Sequence, residues 1–238
     1  AENLHRRVRQ LISCHASRSA EPSQVRSDQA QDPTVVEDFD TLARAIAMHQ
    51  YAHSPGYMRL CQAHGVDPRH DAPGLLPAVP TDAFRHVRVA TYPAELDAVV
   101  FRTSGTTSGA RGEHPMRSLA TYEAAATAWA DQTLFAPWRT ERPTVIAISP
   151  SARQLPDSSL ACMLAWFVAR SGAASRFVDP EDVDTTRELL RRCEAEGSPV
   201  VVCATAFAWV HLCDALGAEV FALPAGSRAM QTGGFKGR

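Results

Sequence analysis

At 238 residues, with 45% hydrophobic and 21% charged side chains, the chain has ample capacity for a core and reads as a soluble globular protein. A formal net charge of −2 without a basic block argues against a nucleic-acid partner, and no apolar run approaches the length of a membrane span. Arg6, Arg7 and Arg9 are followed by no apolar core, so no signal peptide is read. Six cysteines (Cys14, Cys61, Cys162, Cys193, Cys203 and Cys213) form no Cys-x-x-Cys pair, and several lie in apolar runs. That pattern favours free thiols, a reducing cytoplasm and no structural zinc. His49 and His53 are spaced i, i+4, but without a third ligand they read as an ordinary helix surface.

In chain order, Leu4, Val8, Leu11 and Ile12 predict a helix over residues 3–14, and the Ser-, Gln- and Asp-rich residues 16–34 read as a mobile linker. Residues 1–37 are therefore taken as a helical segment with its linker, and 38–238 as the main domain. Phe39, Leu42, Ala43, Ile46 and Ala47 mark an amphipathic helix that Pro55 should break or kink. A second helix carries Tyr57, Leu60 and Cys61 and ends at Gly65. Pro77 and Pro80 enforce an extended entry, after which Thr81 or Asp82 caps a short helix. Val87–Thr91 and Ala98–Phe101 read as strands, followed by a helix over 118–134 with Tyr122, Ala126 and Trp129 on one stripe. Beyond it the pattern alternates: strand 145–148, helix 160–170, strand 176–178, helix 185–196 capped by Asp184, strand 199–203 and helix 206–216. Gly172, Gly197 and Gly217 stop the three helices. Continuous apolar strands alternating with helices predict an α/β fold, a mostly parallel sheet flanked by helices, with ligands at the carboxyl ends of its strands.

The chemistry concentrates after Phe101. Thr103, Ser104, Gly105, Thr106 and Thr107 place four hydroxyls and one glycine in a run of five, continued by Ser108, Gly109 and Gly112. Such a loop lets backbone N–H groups approach an anion closely, and hydroxyls add donors. Arg111 and His114 stand ready to add charge-assisted bonds. The natural guest is a nucleotide phosphate. The loop is neither a Walker motif, having no Gly-Lys pair, nor Gly-x-Gly-x-x-Gly. On residue types alone, a solvated flexible loop remains the alternative.

The order Thr-Ser-Gly-Thr-Thr-Ser-Gly resembles the phosphate-binding motif of the adenylate-forming enzymes, which include acyl-CoA synthetases, luciferases and peptide-synthetase adenylation domains. Further segments resemble one subgroup, the acyl-protein synthetases of the bacterial luciferase fatty-acid reductase system. These are Gln50-Tyr51 with Pro55, Tyr57, Cys61 and Gly65; Val79–Phe84; Ser104–Gly109 with His114; Pro150-Ser151, Ser158–Leu160 and Met163; and Thr232-Gly233-Gly234-Phe235-Lys236-Gly237. The likeness runs from about residue 38 to the end. It implies an adenylate-forming N-terminal domain, ATP with Mg2+, and activation of a carboxylic acid as acyl-adenylate with release of pyrophosphate. A thiol would then take the acyl group: coenzyme A, a carrier protein or a protein cysteine.

By the same resemblance, the hydroxyl loop with Arg111 would hold the ATP phosphates. His114 and Lys236 would be catalytic, and Thr232, Gly233, Gly234, Phe235 and Lys236 would lie near adenosine and acyl-adenylate. Each has a plainer alternative: a surface lysine for Lys236, a structural hydrogen-bonder for His114, a solvated loop residue for Arg111. Ser158-Ser159 reads as a helix cap, and Met163, Trp166 and Phe167 as core rather than an acyl pocket. The metal ligands are not legible. Relative to the family, the chain stops after the Gly-Gly-Phe-Lys-Gly motif, before a Thr-Glu motif, a ribose-binding aspartate and the acyl-accepting cysteine. A proteolytic remnant, a second polypeptide or partner subunit, and a truncated product are the three explanations, the first being preferred. The rival reading is a non-catalytic nucleotide-binding or scaffold subunit that retains the phosphate loop and docks a catalytic partner, and the absent C-terminal motifs are its best support.

Overall fold

The chain divides into two units, Ala1–Ala128 and Trp129–Arg238. The structure, a computed structural model, describes residues 1–18, 37–103, 110–138 and 141–233. Most of the expected linker, residues 19–34, lies outside them.

In the first unit, α1 (Glu2–Arg18) runs longer than the 3–14 expected and packs against α2 (Phe39–His53). Asp38 caps α2, accepting from the Asp40 N–H at 2.7 Å. Arg7 on α1 pairs with Glu37 just before that cap. Pro55 ends α2 as anticipated, and Ser54 serves both helices. Its N–H closes α2 on the Gln50 carbonyl, and its hydroxyl accepts from Tyr57 N–H to start α3 (Pro55–Ala63). Ala47, Tyr57 and Cys61 are buried between α2 and α3, with Leu60, Leu76 and Val79 packed on them. α4 (Ala83–His86) follows, but Asp82 occupies its cap position without a side-chain bond.

The strand expected at Val87–Thr91 does not form. Arg88 is instead drawn into two 2.8 Å bonds to the Asp97 carboxylate and one to the Tyr92 carbonyl, which folds the segment on itself. β1 (Val99–Arg102) does form, and it pairs antiparallel with an unforeseen strand, β2 (Glu113–Met116), in a two-stranded ribbon. Thr103 N–H bonds to the Gly112 carbonyl at 3.0 Å. By the alternation of an antiparallel ladder, Pro115, opposite Val100, then falls where its missing N–H would point away from β1. α5 (Ala120–Gln132) crosses the division between the units. Its Trp129 is 69% exposed rather than on a buried stripe.

The second unit is a four-stranded parallel sheet in the order β4-β3-β5-β6, from β3 (Thr144–Ile148), β4 (Arg176–Val178), β5 (Val200–Thr205) and β6 (Arg228–Thr232). Period-two alternation sends Ile146, Ile148, Val200, Val202 and Ala204 to one face. They meet α7 (Val183–Glu196) and α8 (Ala206–Leu216) there. Val145, Ala147, Val201 and Cys203 face the other way, toward Leu164 and Phe167 of α6 (Ser159–Ala169), with Ala130 and Phe135. A sheet covered on both faces was the expectation, and Phe167 is core as read. Ser158 caps α6 through Ala161 N–H, again as read. The cap of α7 is Asp182, not Asp184: its carboxylate accepts from Thr185 N–H at 3.0 Å, so the helix starts at Val183, and Asp184 pairs with Arg187. Gly197 ends α7 at φ 63°, a left-handed conformation that glycine adopts without strain. All six cysteines are free thiols, with Cys61, Cys193 and Cys203 buried. No helix among the described residues is long and apolar enough to cross a membrane.

Candidate functional site

The hydroxyl-rich loop joins β1 to β2. The strand that precedes it therefore belongs to an antiparallel ribbon, not to the parallel sheet that the alternation had suggested. Ser104, Gly105, Thr106, Thr107, Ser108 and Gly109 lie outside the described residues; the two ends of the loop lie within them. Gly112 N–H donates to the Thr103 hydroxyl at 2.9 Å, closing the stem a second time. A Cβ on Gly112 would stand 3.3 Å from Thr103 Cγ2 and 3.6 Å from Phe84 Cβ, so a larger residue there would require the Thr103 side chain to give by a few tenths of an ångström. Arg111 folds back over the stem, donating to the Thr103 carbonyl at 2.7 Å and the Arg102 carbonyl at 3.3 Å. Its guanidinium is thereby held at the root of the loop.

Beside that root lies a groove of about 690 Å3, lined by Arg85, Arg88, Arg102 and Arg111, against two lining carboxylates, Asp97 and Glu113. Arg88 and Asp97 hold each other through paired bonds, which lower the Asp97 pKa and raise that of Arg88. Arg102 meets Glu113 at 3.0 Å, and Arg85 meets Asp82, outside the lining, at 3.4 Å. Among the described residues, four guanidiniums meet three carboxylates there, two of them in the lining, which leaves a small excess of positive charge, and guanidiniums match the oxygens of a phosphate bidentately.

His114 lies on β2 opposite the buried Phe101, on the ribbon face away from Arg102 and Glu113, by strand alternation. Its ring stacks on Phe84 with centroids 4.3 Å apart, and it does not line the groove, whereas Phe84 does. In the second unit, Thr232 ends β6 level with Thr205 of β5, and Gly233 follows at φ 77°. Both sit at the carboxyl edge of the sheet, with Ser149 and Thr205, where parallel sheets hold ligands. The Thr205 hydroxyl is committed to the Ala208 N–H at the start of α8. Gly234, Phe235 and Lys236 lie outside the described residues.

Sequence reading missed the groove arginines Arg85, Arg88 and Arg102. No motif carries them, since they converge from α4, the segment after it and β1; only their density between residues 85 and 111 was visible. Among the described residues no group of three or more His, Cys, Asp or Glu is placed to hold a metal ion. No model of a known protein family and no curated protein matches this chain.

Proposed function

We propose that this chain carries the nucleotide-binding part of an ATP-dependent ligase that activates a carboxylic acid and passes it to a thiol. The observation that carries the reading is the four-arginine groove at the root of the Thr103–Gly109 loop. A loop of hydroxyls and glycines supplies neutral donors, and the groove beside it supplies fixed positive charge. Triphosphate binding calls on both.

In the proposed reaction a carboxylate oxygen attacks the α-phosphorus of ATP. The bond from that phosphorus to the bridging oxygen breaks, and pyrophosphate departs with the electron pair. The loop and Arg111 hold the departing phosphates, and Mg2+ arrives with the nucleotide to offset their charge. A thiol of coenzyme A, a carrier protein or a protein cysteine then attacks the acyl carbon, AMP leaves, and the thiol proton goes to solvent. Thr232 and Gly233, with Gly234, Phe235 and Lys236, are assigned to the adenosine and acyl-adenylate. His114, stacked on Phe84, is assigned to positioning that groove residue. The adenylate-forming N-terminal domain, and a cytoplasmic setting suited to six free thiols, belong to the same reading.

ATP–pyrophosphate exchange across a panel of acids tests it. Exchange with at least one acid is expected. Absence of ATP binding overturns the reading, and ATP binding without exchange in a verified full-length protein replaces it with a non-catalytic nucleotide-binding or scaffold subunit. Replacing both hydroxyls in Thr106→Val, Thr107→Val at nearly constant size should cost about 1.5–3 kcal/mol per lost bond to phosphate, read as kcat/KM for ATP. Unchanged kinetics would remove these hydroxyls from the site.

A further inference from the structure

A second cavity, of about 330 Å3, lies in the first unit and shares the wall residue Pro115 with the arginine groove. α1 supplies one wall, through Leu4, His5 and Val8. The other walls include Ile46 and His49 of α2, Tyr57 of α3, and Val79 and Val89 of the extended segments. The cavity therefore runs along the seam where α1 packs on α2.

Much of that seam is indifferent to mild acid. Leu4 and Val8 carry no charge. Arg7 pairs with Glu37 and holds its carboxyl below the usual 4.5. Arg9 donates to the Thr121 hydroxyl on α5 at 3.3 Å, and the His5 Nδ1 shares that hydroxyl at 3.1 Å. His49 is different. Its Nε2 is buried and has no hydrogen-bond partner among the described residues. Its ring lies against that of His53, with centroids 4.2 Å apart, and His53 is held there by a 2.8 Å bond from its Nδ1 to the His49 carbonyl. A protonated His49 would need an acceptor at Nε2, yet no aspartate or glutamate lines the cavity. Burial, then neighbouring positive charge led by His53, hold the His49 pKa below its usual 6.5.

We propose that the α1–α2 seam is a proton-sensitive latch: α1 stays docked while the His49 imidazole is neutral and comes off α2 when that imidazole takes up a proton. With α1 released, the cavity loses a wall, Nε2 reaches water, and the proton is accepted without penalty. The docked form disfavours the proton, so docking is complete above the ordinary 6.5 and is lost as pH falls through it, by at most about tenfold per pH unit for one proton. Release bares Leu4, Val8 and Ile46, so mild acid exposes an apolar face that neutral solution hides. The groups facing the imidazole are His53 on the same helix, His5 of α1, Tyr57 of α3, and Tyr92 and Arg117 beyond it; the charge at residue 1 is common to every protein compared below. The latch goes beyond the nucleotide reading and does not use it, so ATP is left out of the test.

Hydrogen exchange on the whole chain at about pH 7.5 and about pH 5.5, with each rate divided by the intrinsic rate at that pH, reads the opening of each helix. The opening of α1 amides should rise about fivefold to tenfold at the lower pH, while amides of α3, β3 and β5 keep their protection. His49→Phe keeps a ring and removes both nitrogens, and His49→Gln keeps a polar group without charge should the first variant fold poorly. In either, α1 opening should change by less than about twofold over the same interval. A wild-type rise of less than about twofold, an equal rise in α3, β3 and β5, or a rise that survives both substitutions would each overturn the latch.

Discussion

The two units solve the problem of burying apolar side chains differently. In the second, Val145, Ile146, Ala147, Val200, Val201 and Cys203 are wholly enclosed, because a parallel sheet with helices on both faces leaves its central strands no wet side. In the first, the largest core cluster holds three buried residues between two helices, and long extended segments complete the walls. Those segments do not interdigitate as a sheet does. They enclose two cavities instead, one of them lined by four arginines. The comparison teaches that regularity and ligand capacity trade off here: the second unit holds tightly, and the first leaves room.

The sharpest way to break this contrast is to truncate both cores. Ile146→Ala, in the middle of the sheet, should cost about 2–5 kcal/mol in urea unfolding, through lost burial plus the cavity left behind. Val79→Ala, at a half-buried wall beside existing space, should cost about 1 kcal/mol or less. Equal losses would mean that the first unit is packed as densely as the second.

Helix caps give a smaller and more local test. Asp182→Ala removes a bond that α7 uses and should cost about 1 kcal/mol, whereas Asp82→Ala removes none from α4 and should leave the thermal midpoint nearly unmoved. A large effect at Asp82 would assign that carboxylate to its ion pair with Arg85 rather than to the helix.

The smallest effect is in acid. The guanidinium and backbone N–H of Arg69 hold Asp67 at about 2, below its ordinary 3.8. The sign follows from the lowered value: the contribution is complete above 3.8 and is lost as pH falls through about 2. Asp67→Asn should flatten that part of the acid-unfolding curve slightly, as suits an exposed pair, and leave the neutral region alone. An unaltered acid limb would show that the pairing persists equally in the unfolded chain.

What could be read from the sequence follows the same division. The central strands β3 and β5 are apolar runs rich in β-branched residues, and glycines 197 and 217 mark the ends of α7 and α8, so the second unit was legible almost element by element. Its edge strand β6 was not. Arg228-Ala-Met-Gln-Thr has one neighbour and one largely wet side, so no apolar pattern marks it. In the first unit, Val87–Thr91 alternates as a strand does, but a strand needs a partner, and Arg88 found Asp97 first. Glu113–Met116 lacks β-branched residues and contains a proline, yet it forms a strand because Val99–Phe101 offers it a ladder. The loop composition was plain. The arginine groove and the His49 cavity were not, since each is assembled from segments tens of residues apart, which only tertiary structure brings together.

Pro115 carries one more consequence. On the outer side of β2 the ladder has a gap where a donor should be, so another polypeptide laid along that edge would find a missing rung at its centre. A two-stranded ribbon is otherwise an open template for intermolecular stacking. The imino acid guards this one against fibril growth, at the same residue that walls both cavities.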